Sequence, residues 1–369
     1  MKIGIDARMM GAENTRGIGR YIQELYTTIV QMRPDLEFVV FSKIRNHALV
    51  KFDNVKTVIA NVNWYGWQEQ IRLPKIIQQA KVDLMHFPHW NVSIFYNDPF
   101  ILTIHDLLLK HKHYSAKAST RCFLSRSLKR IGYELVLNQA IKKARAICVP
   151  SDFVAEDVKY FFPKQRNKII ITSEGIVDLG DYSERKFDFK YFLYAGSAYP
   201  HKRLDVLVHA WKDLAKIYPE KHLVIVGEID LFMEKIKELA NTLKLERIHF
   251  LGSVSDKDLG ILYVSADLFI FPSEFEGFGL PPLEALSMGT PVVSTNERPM
   301  SDLLGDLGVV YFKSGDKNGM IEAVKAVVDN LESMRNQAKK ASVLLRDKNN
   351  WKNTATLTLK AYDYAIKNK

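Results

Sequence analysis

The chain has 369 residues, room for two domains of ordinary size, and its 47% hydrophobic and 25% charged content excludes a disordered or fibrous chain. Two cysteines, Cys122 and Cys148, exclude a disulfide framework and suit a reducing compartment. The net charge of +10 is concentrated: from Lys110 to Arg145 stand ten Lys or Arg and one acidic residue, Glu134, a local charge of +9 that suits an anionic membrane surface or nucleic acid.

Asp6 and Arg8 directly follow the first apolar residues, unlike a signal peptide, and no apolar run reaches the roughly 18 residues of a membrane span. A cytoplasmic, non-spanning protein is expected. Lys2–Ala7 reads as a first strand. A loop follows, ending Gly17-Ile-Gly-Arg-Tyr21, then a helix over 21–32 with Ile22, Leu25, Tyr26 and Ile29 on one face. Strand, glycine-bearing loop and helix is a layout that approaches phosphates, so Gly17 and Gly19 are candidates for a diphosphate. There is no GxGxxG and no Walker lysine.

Glu37–Phe41, Val82–Phe87 and Phe100–Ile104 read as strands, with a helix over 68–80. Strands alternating with helices argue a parallel sheet with ligands at the strand C-termini. His105-Asp106 stands at such an end, and His86, His89 and Trp90 stand at the end of the strand before it, where they would border an acceptor. Residues 110–145 form one or two basic helices, in which Arg126, Lys129 and Arg130 neighbour Leu124, Leu128 and Ile131. Strands at Ala146–Pro150 and Lys168–Thr172 close this half, with Ser151 capping a helix between them. The polar stretch 173–190 reads as a linker. The pattern restarts with Tyr191–Ala195, the loop Gly196-Ser-Ala-Tyr-Pro-His-Lys-Arg203 and a helix over 204–217. Strands at His222–Gly227 and Ile248–Val254 follow, with a helix over 231–243 between them. Helices over 317–331, from Met334, and over 351–366 end the chain. No Cys or His spacing matches a zinc site and no Asp-x-Asp stands in a metal-binding context, so no metal is expected.

The densest stretch is Glu276-Gly-Phe-Gly-Leu-Pro-Pro-Leu-Glu284, between the apolar runs Ala266–Phe271 and Thr290–Ser294. Pro281-Pro282 suits a helix's first turn and Gly289 its C-terminal exit. Gly277 and Gly279 let the backbone approach a ligand, and the amides at a helix N-terminus favour an anion. Glu276 on the loop and Glu284 in the first helical turn flank that row of amides. Carboxylates accept hydroxyl protons, so the arrangement suits a molecule polyhydroxylated at both ends and anionic in the middle, such as a nucleotide sugar. Taken singly, Glu284 need only complement the helix dipole.

This stretch resembles the E-x7-E signature of the family 4 retaining glycosyltransferases, which have the GT-B fold. The likeness extends through Gly289-Thr-Pro-Val-Val293, and Ile3–Arg8 with Gly17–Tyr21 is similar to one branch of the same family. The resemblance implies an α/β protein of two Rossmann-like domains with parallel sheets facing a central cleft. These would be an acceptor-side domain over 1–175, a nucleotide-sugar domain over 176–350, and a C-terminal helix over 351–369 that crosses back onto the first domain. It further implies that Glu276 and the amides of Gly277, Phe278, Gly279 and Leu280 hold the donor sugar, that Glu284 holds the ribose, and that His105 contacts the sugar. Lys202 falls on the family's diphosphate lysine, with Ser197 where an arginine is commoner and Arg203 or Arg20 as helpers. The loop at Val254, with Asp256 or Lys257, would face the base. Glu174-Gly-Ile-Val-Asp178 departs from the usual Asn-Gly-Val-Asp, a departure that touches no expected catalytic residue.

The expected activity is thus a metal-independent hexosyltransferase with His105, Glu276 and Lys202 as catalytic residues and no cofactor beyond the nucleotide-sugar donor. Loop sequences lean toward GDP-mannose, with UDP-glucose, UDP-N-acetylglucosamine or a deoxysugar donor open. The expected acceptor is a surface polysaccharide or a lipid-linked glycan, reached at the inner face of an anionic membrane through residues 110–145, with no nucleic acid. Two other classes fit less: a sugar-nucleotide epimerase of the same fold, which would need no acceptor, and a basic nucleic-acid-binding protein, which would leave the Glu pair unexplained.

Overall fold

The computed structural model describes residues 1–11, 17–111 and 123–367, with side chains in the helix that opens at Phe123 described from Arg130 onward. Two parallel sheets organise the chain. The first runs β3 (Val55–Ile59), β2 (Glu37–Ser42), β1 (Lys2–Asp6), β4 (Leu84–Phe87), β5 (Phe100–Thr103), β6 (Ala146–Val149), β7 (Ile169–Ile171). The second runs β10 (Ile248–Gly252), β9 (Lys221–Val226), β8 (Lys190–Ala195), β11 (Leu268–Phe271), β12 (Val292–Thr295), β13 (Val309–Phe312). Phe38-Val-Val-Phe41 and Leu268-Phe-Ile-Phe271 are buried at every position, because helices cover both faces of a parallel sheet and leave no polar alternation.

In each sheet the chain builds outward from its first strand, then resumes on that strand's other side, so the order reverses between β1 and β4 and between β8 and β11. Ligands of doubly wound sheets bind beyond the strand C-termini at such a reversal. There the first unit presents the turns after Asp6 and Phe87, and the second presents residues 196–203 and 272–279.

The first unit takes in Met1–Leu107, the chain that resumes at Phe123 and runs to Gly175, and the stretch from Asn350; the second holds Ile176–Asn349. The helices of the first unit are α1 (Ile18–Met32), α2 (Trp67–Ala80), α3 (Phe123–Lys143) and α4 (Asp152–Phe161). Those of the second are α5 (Leu204–Ile217), α6 (Leu231–Thr242), α7 (Asp256–Ser265), α8 (Leu280–Ser287), α9 (Met300–Leu304), α10 (Lys317–Asp329) and α11 (Leu331–Lys348). The last helix, α12 (Trp351–Lys367), returns to the first unit, where Ala355, Ala361, Tyr362 and Ala365 enter one core with Ile22, Leu25 and Ile29 of α1. No described helix is long and apolar enough to cross a membrane.

Four elements, β3, β13, α7 and the short α9, were not read from the sequence. β3 and β13 are strands of four or five residues at sheet edges, too short for a periodic signal. Residues 256–265, of which Asp256 and Lys257 were expected in a loop, form α7, capped by Ser255 Oγ on the Asp258 amide at 3.0 Å. Its apolar residues Leu259, Ile261, Leu262 and Tyr263 are all buried, so they do not mark one face at helical period.

Candidate active site

The second unit's reversal loops carry the motif residues. Gly279 caps α8 with φ +91°, a conformation that favours glycine, and a Cβ there would come within 2.1 Å of the Met300 methyl. Pro281 and Pro282 follow inside the first turn, where their missing N–H groups cost nothing. The amides of Gly277 to Leu280 therefore lie on a tight turn running into a helix N-terminus, the arrangement that suits a phosphate or an oxygen-rich ligand. Phe278 and Leu280 anchor this turn by packing into the unit's core, and Val254, half-buried at the end of the β10 loop, packs against the same cluster.

Across the turn, Lys202 Nζ lies 2.5 Å from Glu276 Oε1, both side chains mostly buried. Lys202 is set by a 3-10 turn at Pro200–Lys202, which returns its amide to the Tyr199 carbonyl at 2.8 Å. His201 beside it is pushed down to about 4 by burial first and by the Lys202 charge second. His201 is therefore uncharged near neutral pH. Arg203, in the left-handed region at φ 51°, turns away from Glu276 toward Glu274 and Asp205, each at 3.4 Å. Ser197 offers its carbonyl to Tyr194 Oη at 2.6 Å. The loop is held against its neighbour by backbone: a Cβ on Gly227 would sit 2.0 Å from the Gly196 carbonyl oxygen.

Glu284 is the fifth residue of α8, one turn deeper than the sequence reading placed it, because the helix begins at Leu280. It is 5% exposed, and Tyr263 Oη donates to its Oε2 at 3.2 Å. A buried carboxylate with a fixed hydroxyl partner is oriented in advance for further hydroxyl donors. Asp256 and Lys257, expected in a loop, form the first turn of α7.

In the first unit, His105 lies just beyond β5. Its Nδ1 is 2.9 Å from Glu174 Oε1 and its Nε2 is 3.0 Å from the Pro88 carbonyl oxygen. His86 is fully buried between Tyr362 Oη at 3.0 Å and Thr103 Oγ1 at 2.8 Å, a core residue that borders no acceptor. His89 meets Tyr65 Oη at 3.0 Å and Trp90 packs edge-on to Tyr133. Gly17 caps α1 at φ 56°, with nothing among the described residues within 4 Å of a would-be Cβ, while Gly19 and Arg20 are buried in that helix.

The sequence did not pair two partners in this geometry with the residues they meet, although Glu174 stood out as a departure from the family pattern. Tyr263 stands 21 positions before Glu284 and Glu174 stands 69 positions after His105; only the fold brings each pair together.

A family profile described as "Glycosyltransferase Family 4" matches residues 15–178, and one described as "Glycosyl transferases group 1" matches residues 183–343. The chain belongs to the family 4 glycosyltransferases. It is 23% identical to the O-antigen chain mannosyltransferase RfbU of Salmonella typhimurium over 341 residues, 88% of this chain and 90% of that one. Among solved structures it resembles sucrose-phosphate synthase from Thermosynechococcus elongatus, with a TM-score of 0.80 at 17% identity over 100% of both chains. It also resembles Anabaena HepE in complex with UDP and glucose, with a TM-score of 0.74 at 16% identity over 98% of this chain and 99% of that one. The fold of this glycosyltransferase is GT-B, and the enzyme is a hexosyltransferase.

Proposed function

We propose that this glycosyltransferase moves mannose from GDP-mannose, with retention of configuration, onto a growing polysaccharide or lipid-linked glycan at the cytoplasmic face of a membrane. The observation that carries the reading is the Lys202–Glu276 pair beside the amides that open α8, with the buried Glu284 one turn further on. A donor separates the pair's two tasks. Glu276 accepts from sugar hydroxyls, Lys202 meets the diphosphate, and Glu284 accepts from the ribose. The mannosyltransferase relative supports the choice of sugar.

The bond from the sugar's anomeric carbon to the diphosphate oxygen breaks through an oxocarbenium-like state. Negative charge grows on the departing diphosphate, where Lys202 and the helix-end amides stabilise it. The acceptor hydroxyl attacks the anomeric carbon from the face the diphosphate leaves, and its proton passes to the departing phosphate oxygen. These protein groups carry the charge without a resident metal, so transfer should persist in a chelator such as EDTA.

The test is a donor panel with a polysaccharide or lipid-linked acceptor, followed by NMR of the product's anomeric centre. The reading expects acceptor-dependent release of GDP and an α-linked mannose from the α-configured donor. A product of inverted configuration, or consumption of a different nucleotide sugar, would overturn retention or the donor respectively.

A further inference from the structure

His105 is held between two acceptors. The Pro88 carbonyl oxygen, 3.0 Å from Nε2, can only accept, so Nε2 carries a proton. The Glu174 carboxylate, 2.9 Å from Nδ1, also accepts when ionised, so Nδ1 carries a second. A ring protonated on both nitrogens is an imidazolium. Its counter-charge is not free to drift: the Glu174 side chain is 9% exposed. The next residue, Gly175, packs so closely on α12 that a Cβ there would lie 2.6 Å from the Trp351 amide nitrogen. The Ser173 carbonyl on the other side accepts from Thr354 Oγ1 at 2.6 Å. Tyr21 of α1 closes the ring from above, edge-on at 4.6 Å.

The surrounding groups agree with a charged ring. Burial opposes the charge on His105, yet the hydrogen bond and attraction from Glu174, the Pro88 carbonyl and Asp106 together hold its pKa above the ordinary histidine value. His86 of β4 and His89 just beyond it are each pushed to about 3 by burial first and by His105 second, so they stay neutral beside it. Tyr21 and, from α12, Tyr362 stay protonated, pushed up chiefly by burial.

We propose that Glu174 is a positioning residue for sugar transfer: its carboxylate holds the His105 ring oriented and protonated on both nitrogens at the C-terminal end of β5, as an ion pair with no net charge. The proposal rests on the reading of His105 as a contact of the donor sugar. It also gives a role to the departure at this position. An asparagine amide can donate or accept and leaves the ring free to be neutral, whereas the carboxylate here enforces the charge.

The test combines histidine ring NMR with pH profiles of kcat and KM for wild type, Glu174→Gln and Glu174→Asp. Wild-type His105 should keep both ring protons to higher pH than an ordinary histidine. In Glu174→Gln it should lose the second proton at lower pH than in wild type. There kcat should fall about tenfold, less than for loss of a direct oxyanion donor, and its profile should move to lower pH, with nucleoside diphosphate affinity unchanged. Glu174→Asp should restore the charge and most of the rate, which guards against a mere folding defect in the amide variant. A neutral His105 in wild type, or a Glu174→Gln profile that coincides with wild type, would overturn the proposal. Absence of turnover with any nucleotide sugar in wild type would overturn the transferase reading and the proposal with it, even with the ion pair visible by NMR.

Discussion

Lys202 and Glu276 neutralise each other at 2.5 Å, so the two variants should differ in kind. Lys202→Ala should lower kcat more than about a hundredfold, as for loss of one group that stabilises a developing anion. Glu276→Ala should lower turnover more than it lowers nucleoside diphosphate affinity, because its proposed partners are sugar hydroxyls. Steady-state rates set beside GDP calorimetry read the split, and similar modest losses in both variants would argue against divided roles. Gly279→Ala should cost roughly 1–2 kcal/mol from the left-handed backbone alone, visible as a lowered urea midpoint, and should also disturb the amides that open α8. Residue types and spacing in Glu276–Glu284 made the donor loop legible from sequence. Their partners were not: Tyr263 reaches Glu284 from another helix, and Glu174 reaches His105 from beyond the last strand of the unit.

Among the elements, the central strands were legible because parallel sheets demand continuous apolar runs, while edge strands β3 and β13 and α7, whose buried residues 259–263 run on without a gap, lacked a period to read. Helix α3 was legible as basic, and its described part adds an exposed apolar face. Ile131 is 64% and Leu135 is 49% exposed, one helical turn apart beside the exposed Arg130, while Tyr133, Leu137 and Ile141 face the core. The side chains of Arg126 and Lys129, read from sequence as part of the same face, lie outside the described residues. We propose that this face meets an anionic bilayer, the apolar pair inserting and each nearby cation adding about 1 kcal/mol. Ile131→Glu with Leu135→Glu should abolish sedimentation with anionic vesicles, leave GDP binding unchanged, and leave the wild type salt-sensitive in the same assay. Equal wild-type binding to neutral vesicles would contradict an electrostatic contribution.

At the scale of the whole molecule, stability should follow its buried histidines. His86 and His89 near 3 and His201 near 4 are held neutral by burial. Below about pH 6.5 the unfolded chain takes up protons that these sites refuse, so stability should fall by up to about 1.4 kcal/mol per pH unit for each. His105 runs the other way: its raised value stabilises the fold below the ordinary histidine pKa, and that contribution is lost as pH rises through the raised one. Urea midpoints between about pH 4 and pH 8 should therefore decline on the acid side, and a flat profile would contradict neutral burial. The central claim is that the second unit holds a nucleotide sugar between Glu276 and Glu284. Calorimetric titration of GDP-mannose into wild type and Glu284→Ala tests it most directly. The account predicts a single site in wild type, weakened roughly ten- to a hundredfold in the variant, since a hydrogen bond to a charged group contributes about 1.5–3 kcal/mol. Equal affinity in the two proteins, with both equally stable, would contradict it.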